Sequence, residues 1–277
     1  MASALSKCDA VATLMTESLK ISRDGHVAIV TLNRPEKHNA VNLELFAALA
    51  EAGASLGADK TVRAIVIKGE GPSFCAGIDL SVFQQGDVSQ LASRMQPVAN
   101  SPANFFQRAA YIWREIPTPV ICAMHGAAYG AGLQIALGAD LRYASSGCQL
   151  SVMEIKWGII PDMAISKTLL RILPADKAKE LAWTGRVFGA EEALDLGVVS
   201  ALHDDPQAAA LDTAHAIAAR SPDAVRAIKR LFDESVEMSV EKALGLEAQL
   251  QAGLLGGPQQ TEAVLANREN RAPNFEN

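Results

Sequence analysis

Three features of the residue order predict an α/β fold followed by a helical C-terminal region. Short runs rich in Ile and Val, Val62 to Lys68 and Val120 to Met124, have the pattern of strands buried on both faces. Loops containing glycine or proline, and segments of helical length, separate these runs, and the alternation of strand, loop and helix gives an α/β core. After about residue 203 the strand signals stop and helical spacing takes over. The division expected is a core over residues 17–203 and a helical region over 204–277.

Leu19 to Leu32 alternates around the turn dipeptide Asp24-Gly25 and reads as a β-hairpin. Asn42 is placed to cap a helix over roughly Leu43 to Leu56, because its side chain can accept from an unpaired first-turn N–H. The strand Val62 to Lys68 ends at Gly69-Glu70-Gly71-Pro72, which is loop chemistry. Residues 84–104 are polar, carry Gly86, Pro97 and Pro102, and read as the least regular stretch, a mobile flap. A helix from about Ala103 to Glu115 is stopped by Pro117 and Pro119. Val120 to Met124 then leads into a glycine segment and a helix beginning near Gly130, with further short strands at Leu141 to Ala144 and Leu150 to Val152. Ser221-Pro222-Asp223 starts a helix, with proline at the first helical position and an acid in the first turn. Val240 to Leu255 has helical spacing and is ended by Gly256-Gly257-Pro258.

The 277 residues are 49% hydrophobic and 20% charged, enough apolar content for a full core. A net charge of −6 and a pI near 5.4 argue against nucleic acid as partner, since such binding needs a clustered positive surface. Four scattered cysteines, Cys8, Cys75, Cys122 and Cys148, show no CxxC spacing and read as reduced thiols. The five histidines are not spaced as metal ligands, and no metal site is expected. The first sixteen residues read as a loose leader without a run long enough for a signal peptide or a membrane span, so cytoplasm is the expected location.

Two segments carry the chemistry. Ser73-Phe74-Cys75-Ala76-Gly77-Ile78-Asp79 and His125-Gly126-Ala127-Ala128-Tyr129-Gly130-Ala131-Gly132 place small residues where a backbone N–H can be left bare to face a ligand. Fixed donors of that kind stabilise an enolate or tetrahedral oxyanion without reorganising. The same residues also suit close helix–strand packing, and either segment alone would read that way. Glu154 has apolar neighbours in Met153, Ile155, Trp157, Ile159 and Ile160, and burial there raises a carboxyl pKa towards the working range of an acid/base. Gly130-x-Gly132 is no dinucleotide loop, because position 135 is isoleucine where that motif needs glycine. Gly71-Pro72-Ser73-Phe74-Cys75 breaks the nucleophile-elbow pattern at its last position, so serine hydrolase chemistry is unsupported.

With these segments placed, the chain resembles the crotonase (enoyl-CoA hydratase/isomerase) superfamily. The resemblance rests on Leu32-Asn33-Arg34-Pro35-Glu36-Lys37-His38-Asn39-Ala40, on Phe74 to Leu80, on His125 to Gly132, on Ala139-Asp140-Leu141-Arg142 and on Met153 to Pro161. Thr184-Gly185-Arg186, Ala190-Glu191-Glu192-Ala193 and Gly197-Val198-Val199 close the core. It implies a spiral of ββα turns and a helical C-terminal region that forms trimers, often paired into hexamers. It also implies an acyl-coenzyme A substrate of the kind handled in fatty acid β-oxidation, with no cofactor besides the CoA of the substrate. By position in the motif, the N–H groups of Ile78 and Ala131 would hold the thioester oxygen, and Glu154 matches a catalytic glutamate. Ala76, Ile78, Asp79 and Leu80 fall in the ligand-binding segment, with Asp79 and Asp140 read as a helix cap and a strand-end hydrogen bonder.

Asp162 resembles the dienoyl-CoA isomerase branch, where an aspartate works with the glutamate as a proton-transfer pair; a cap on the helix through Lys167 to Leu173 is the other reading. Gln134 departs from the family, which places a glutamate or aspartate there. A carboxamide cannot ionise, so it cannot act as a general base, although it could orient a water or a carboxylate. Arg34 and Lys37 lie in a loop that the family places near the CoA nucleotide, and Lys229 and the tail around Phe275 are further candidates; solvated surface charge is the competing reading of each cation. The activity implied is double-bond isomerisation or hydration of enoyl-CoA through an enolate, isomerisation first. Thioester hydrolysis, decarboxylation and non-catalytic acyl-CoA binding are the alternatives.

Overall fold

The computed structural model describes residues 16–85, 88–99 and 101–277. Cys8, the expected leader before Thr16 and Gly86 lie outside the described residues. Strand β1 (Leu19–Asp24) pairs antiparallel with β2 (Val27–Leu32), as the hairpin signal around Asp24-Gly25 required. From β2 the large sheet continues in parallel through β3 (Ala64–Gly69), β4 (Val120–Met124), β6 (Leu141–Ala144) and β9 (Ala201–Leu202). A second sheet is built from β5 (Ala127–Tyr129), β7 (Gln149–Ser151) and β8 (Phe188–Gly189). Isolated bridges from Val41 to Ile78 and from Cys75 to Ala128 follow the same pattern of short second-strand contacts.

The chain therefore repeats one unit: a strand in the large sheet, a short extended segment in the second layer, then helix. After β2 comes α1 (Leu43–Ala58); after β3 come α2 (Ser81–Gln85), α3 (Val88–Ser93) and α4 (Phe105–Glu115); after β4 and β5 comes α5 (Ala131–Leu137). The helix α3 stands inside the stretch that the sequence reads as irregular. Asn42 caps α1 by accepting from the Leu45 N–H at 2.9 Å. Asn104 and Gln107 form a reciprocal capping box that starts α4 two residues after the expected Ala103.

Alternation along the strands shows why the large sheet is buried twice. Ile65 and Ile67 of β3, with Val120 and Cys122 of β4, face the main core under α1, α4 and α5. Their neighbours Ala64, Val66, Ile121 and Ala123 face the other way. That second face is covered by α9 (Pro206–Ala218), which comes after α6 (Ile165–Thr168), α7 (Ala175–Thr184) and α8 (Ala190–Asp195). Ala210, Ala214 and Ala218 recur every fourth residue on α9 and meet the sheet with small side chains. The expected boundary at 203/204 thus falls in front of a helix that packs on the sheet. Beyond it, α10 (Pro222–Ser235) carries Ile228 and Phe232 exposed, α11 (Val240–Leu254) Val240 and Leu244, and α12 (Pro258–Arg268) Val264 and Leu265.

Candidate active site

The loop after β3 is held on both sides. Cys75 N–H donates to Ala127 O at 2.9 Å, and Tyr129 N–H donates to Cys75 O at 3.0 Å. On the opposite side Val41 N–H donates to Gly77 O at 2.8 Å, and Asp79 N–H to Val41 O at 3.0 Å. In such a parallel bridge the residue between the two partners points its own amide away, which leaves the Ile78 N–H without an acceptor among the described residues. Gly77 has φ of 104°, and a Cβ there would come within 3.1 Å of Tyr129 O and 4.0 Å of Ala131 N. The absent side chain is what lets this loop close on the start of α5. Ala131 is the first residue of α5, so its N–H belongs to the first turn, whose amides lack helical partners.

Both amides border one cavity of about 660 Å³, together with Ala76, Leu80, Gln134, Glu154 and Asp162. Phe46, Phe106, Phe83, Leu91, Met95 and Trp157 give it apolar walls. Phe46 and Phe106 meet edge to face, centroids 5.2 Å apart, which ties α1 to α4 behind the cavity. Among the described residues that line it there is no lysine, arginine or histidine.

Glu154 opens a single 3₁₀ turn, Glu154–Trp157, and is 7% exposed. Its Oε1 accepts from Gln134 Nε2 at 2.6 Å, and its Oε2 is buried with no partner among the described residues. Gly130, with φ of 48°, sits so close that a Cβ would lie 3.1 Å from Oε1. Burial pushes the Glu154 pKa above its ordinary 4.5, its own backbone amide and then the Gln134 hydrogen bond pull it back in part, and the charge of nearby Asp162 pushes the same way as burial. Asp162 is half-buried and its pKa is raised by burial as well. It does not cap a helix: α6 is preceded by Ala164, and no side chain caps that end.

Several expected ligands for the nucleotide lie elsewhere. The Arg34 guanidinium is committed to the Ala40 carbonyl and to Asp79 at 2.9 Å, so it braces the loop and is not a free phosphate ligand. Asp79 also caps α2 by accepting from Ser81 N–H, as expected. Lys229 is 7% exposed on its side chain, ion-paired with Asp140 at 2.9 Å and donating to Trp113 O and Thr118 O. Asp140 accepts from Val120 N–H, the strand-end role foreseen for it. Lys229 lines a different cavity of about 720 Å³ under α9 and α10, where Arg114 and Arg171 pair with Asp233. Phe275 is buried, its carbonyl accepting from Arg63. Lys37 remains exposed on the short turn Pro35–Lys37.

A family model described as enoyl-CoA hydratase/isomerase matches residues 22–277. The chain belongs to the enoyl-CoA hydratase/isomerase family. It is 32% identical to the enoyl-CoA hydratase EchA19 of Mycobacterium tuberculosis over 93% of this chain and 96% of that protein. It is also 32% identical to the peroxisomal Delta(3,5)-Delta(2,4)-dienoyl-CoA isomerase of Arabidopsis thaliana, over 94% of this chain and 96% of that one. The enoyl-CoA hydratase structure from Bacillus anthracis superposes with a TM-score of 0.86 at 26% identity, covering 93% of this chain and 98% of its own. The repeating ββα spiral is thus the crotonase fold, and the chain is an enzyme of the enoyl-CoA hydratase/isomerase family.

Ile78, Ala131, Glu154, Asp162 and Gln134, the residues expected from the sequence, border this one cavity; the Met163 amide was not among those expected. Met163 N–H donates to Gln134 Oε1 at 2.8 Å, a contact with no signature in the letters because it is made by backbone. Among the described residues no group of three or more His, Cys, Asp or Glu could hold a metal ion, and no helix is long and apolar enough to cross a membrane.

Proposed function

We propose that this enzyme shifts the carbon–carbon double bond of an enoyl-CoA thioester with an apolar acyl chain. The observation that carries the reading is the meeting, on one cavity, of two amides and a buried carboxyl oxygen that have no hydrogen-bond partner among the described residues. The thioester C=O, held by Ile78 N–H and Ala131 N–H, acidifies the C–H at carbon 2, because negative charge that develops on oxygen meets fixed donors. Glu154 takes that proton and the electron pair moves into the enolate. Reprotonation at carbon 4, or at carbon 6 of a dienoyl chain, completes the shift, with Asp162 as the partner at the second carbon. The apolar walls favour a hydrocarbon acyl group.

Hydration needs a water between two polar groups. Gln134 Nε2 and Glu154 Oε1 are already in direct contact at 2.6 Å, which supports isomerisation over water addition. Lys37 is the remaining candidate for the CoA phosphates. The exposed apolar residues of α10 to α12 suit assembly into trimers or pairs of trimers, with residues from Pro222 onward as the assembly region. Three buried free cysteines fit a reduced compartment, cytoplasm being the favoured reading.

The test is to incubate the protein with 2-enoyl-, 3-enoyl- and 3,5-dienoyl-CoA in heavy water and follow products by mass spectrometry. A rearranged alkene is the expected product. A hydroxyacyl product would make it a hydratase, release of free CoA or carbon dioxide would assign another acyl-CoA reaction, and binding without turnover would reduce it to a binding protein.

A further inference from the structure

Gln134 is 1% exposed, sits on α5 between two partners, and both ends of its carboxamide are used. A backbone N–H can only donate, so the contact from Met163 at 2.8 Å fixes the carbonyl oxygen of Gln134 on that side. The NH₂ must then face Glu154, and it does so at 2.6 Å. The amide of Met163 belongs to the peptide it shares with Asp162. One neutral side chain therefore spans from the Glu154 carboxylate to the backbone that carries Asp162.

We propose that Gln134 is a positioning residue that locks Glu154 and Asp162 into one rigid pair and leaves Oε2 of Glu154 as the oxygen that exchanges the proton. Oε1 already accepts a donor, while Oε2 is buried with no partner among the described residues, so a hydrogen there meets no competing donor. An acid at position 134 could do the same only while protonated, since once ionised it has no hydrogen to give Oε1. The carboxamide donates and accepts at once in every protonation state of its neighbours. Asp162 is the other titratable residue lining the cavity; Asp79 is paired with Arg34, Lys156 on the Glu154 turn is exposed, and α5 carries no ionisable residue.

The inference rests on the isomerase reading, and two arms separate their failures. Gln134→Met keeps the length and loses both hydrogen bonds; Gln134→Glu keeps the shape and the acceptor for Met163 but gives no hydrogen to Oε1 when ionised. In both variants the acid-side midpoint of kcat/KM against pH moves to higher pH, further in Gln134→Glu, because a donor to the ionised carboxylate is gone. The plateau kcat falls about 10- to 100-fold with KM little changed, the size of effect expected when a reacting group loses its alignment. A fall of kcat by one factor at all pH, or a midpoint that stays at the wild-type value in both variants, overturns the proposal.

The second arm needs no turnover. The Gln134 side-chain amide protons are followed by NMR through a pH titration of the wild-type enzyme, with Glu154→Gln as the control. They move with the ionisation of Glu154 and stay still in the control. An amide that ignores pH in the wild type overturns the proposal, even if the enzyme isomerises every thioester offered. Wild-type protein inactive on all the thioesters but with a titrating amide sinks the reaction and leaves the strut standing.

Discussion

Glu154 is held against its own ionisation. Burial raises its pKa above 4.5, so the folded protein binds that proton more tightly than the unfolded chain does. The stability this contributes is complete below about pH 4.5 and is lost as pH rises through the folded-state pKa. Glu154→Gln abolishes that loss. The variant is expected to melt at a higher temperature than wild type at about pH 7 to 8, with the gap closing towards the ordinary glutamate pKa. Calorimetry across that pH range reads the difference, and a variant less stable at neutral pH would contradict it. The same change should lower kcat about 10²- to 10⁴-fold, the usual share of a general acid–base group, in steady-state assays with 3-enoyl-CoA.

Elements contribute unequally, and two substitutions separate scaffold from chemistry. Asn42→Ala removes the cap of α1, far from the reacting atoms, and should cost about 1 kcal/mol of stability with kcat unchanged. Gly130→Ala forces a side chain into a left-handed backbone at φ of 48° and against Glu154 Oε1. Strain of that kind costs about 1–3 kcal/mol, and here activity should fall with it, because the methyl group displaces the carboxylate. Paired denaturation and kinetics distinguish the two cases. Elements were legible where their signal is local: the hairpin at Asp24-Gly25, the Asn42 cap, and the apolar runs of β3 and β4. Arg34 and Lys229 were not, because a cation looks the same in sequence whether it is solvated or folded onto Asp79 or Asp140. Gln134 read as a departure from the family, and its part depends on a backbone amide 29 residues away that only tertiary structure brings near.

At the scale of the whole molecule, the large sheet is covered on both faces, whereas the last three helices leave apolar side chains uncovered. Phe232 is 66% exposed on α10 and Val240 is 76% exposed at the start of α11. Large apolar side chains left exposed in this number are the material from which interaction surfaces are made. If the proposed trimer closes through this surface, Phe232→Asp with Val240→Asp is expected to reduce it to single 29.3 kDa chains, measured by sedimentation. An unchanged sedimentation coefficient would place the contact elsewhere. The family motifs between Leu32 and Val199 were legible because they sit on tight backbone approaches, which restrict residue choice. The role of α9 as a second cover for the sheet was hidden, since a stripe of alanines reads equally well as generic helix.

The double bracing of the loop between Gly69 and Leu80 has a consequence for how its peptide hydrogens trade with solvent. Those of Cys75, Ala76 and Asp79 are locked into backbone acceptors and should exchange slowly with deuterium, even though they lie in a loop. The hydrogen of Ile78, one residue away from that of Asp79, should exchange much faster in the free enzyme. It should fall silent once a non-reactive thioester occupies the cavity, giving a single-residue clock for substrate arrival.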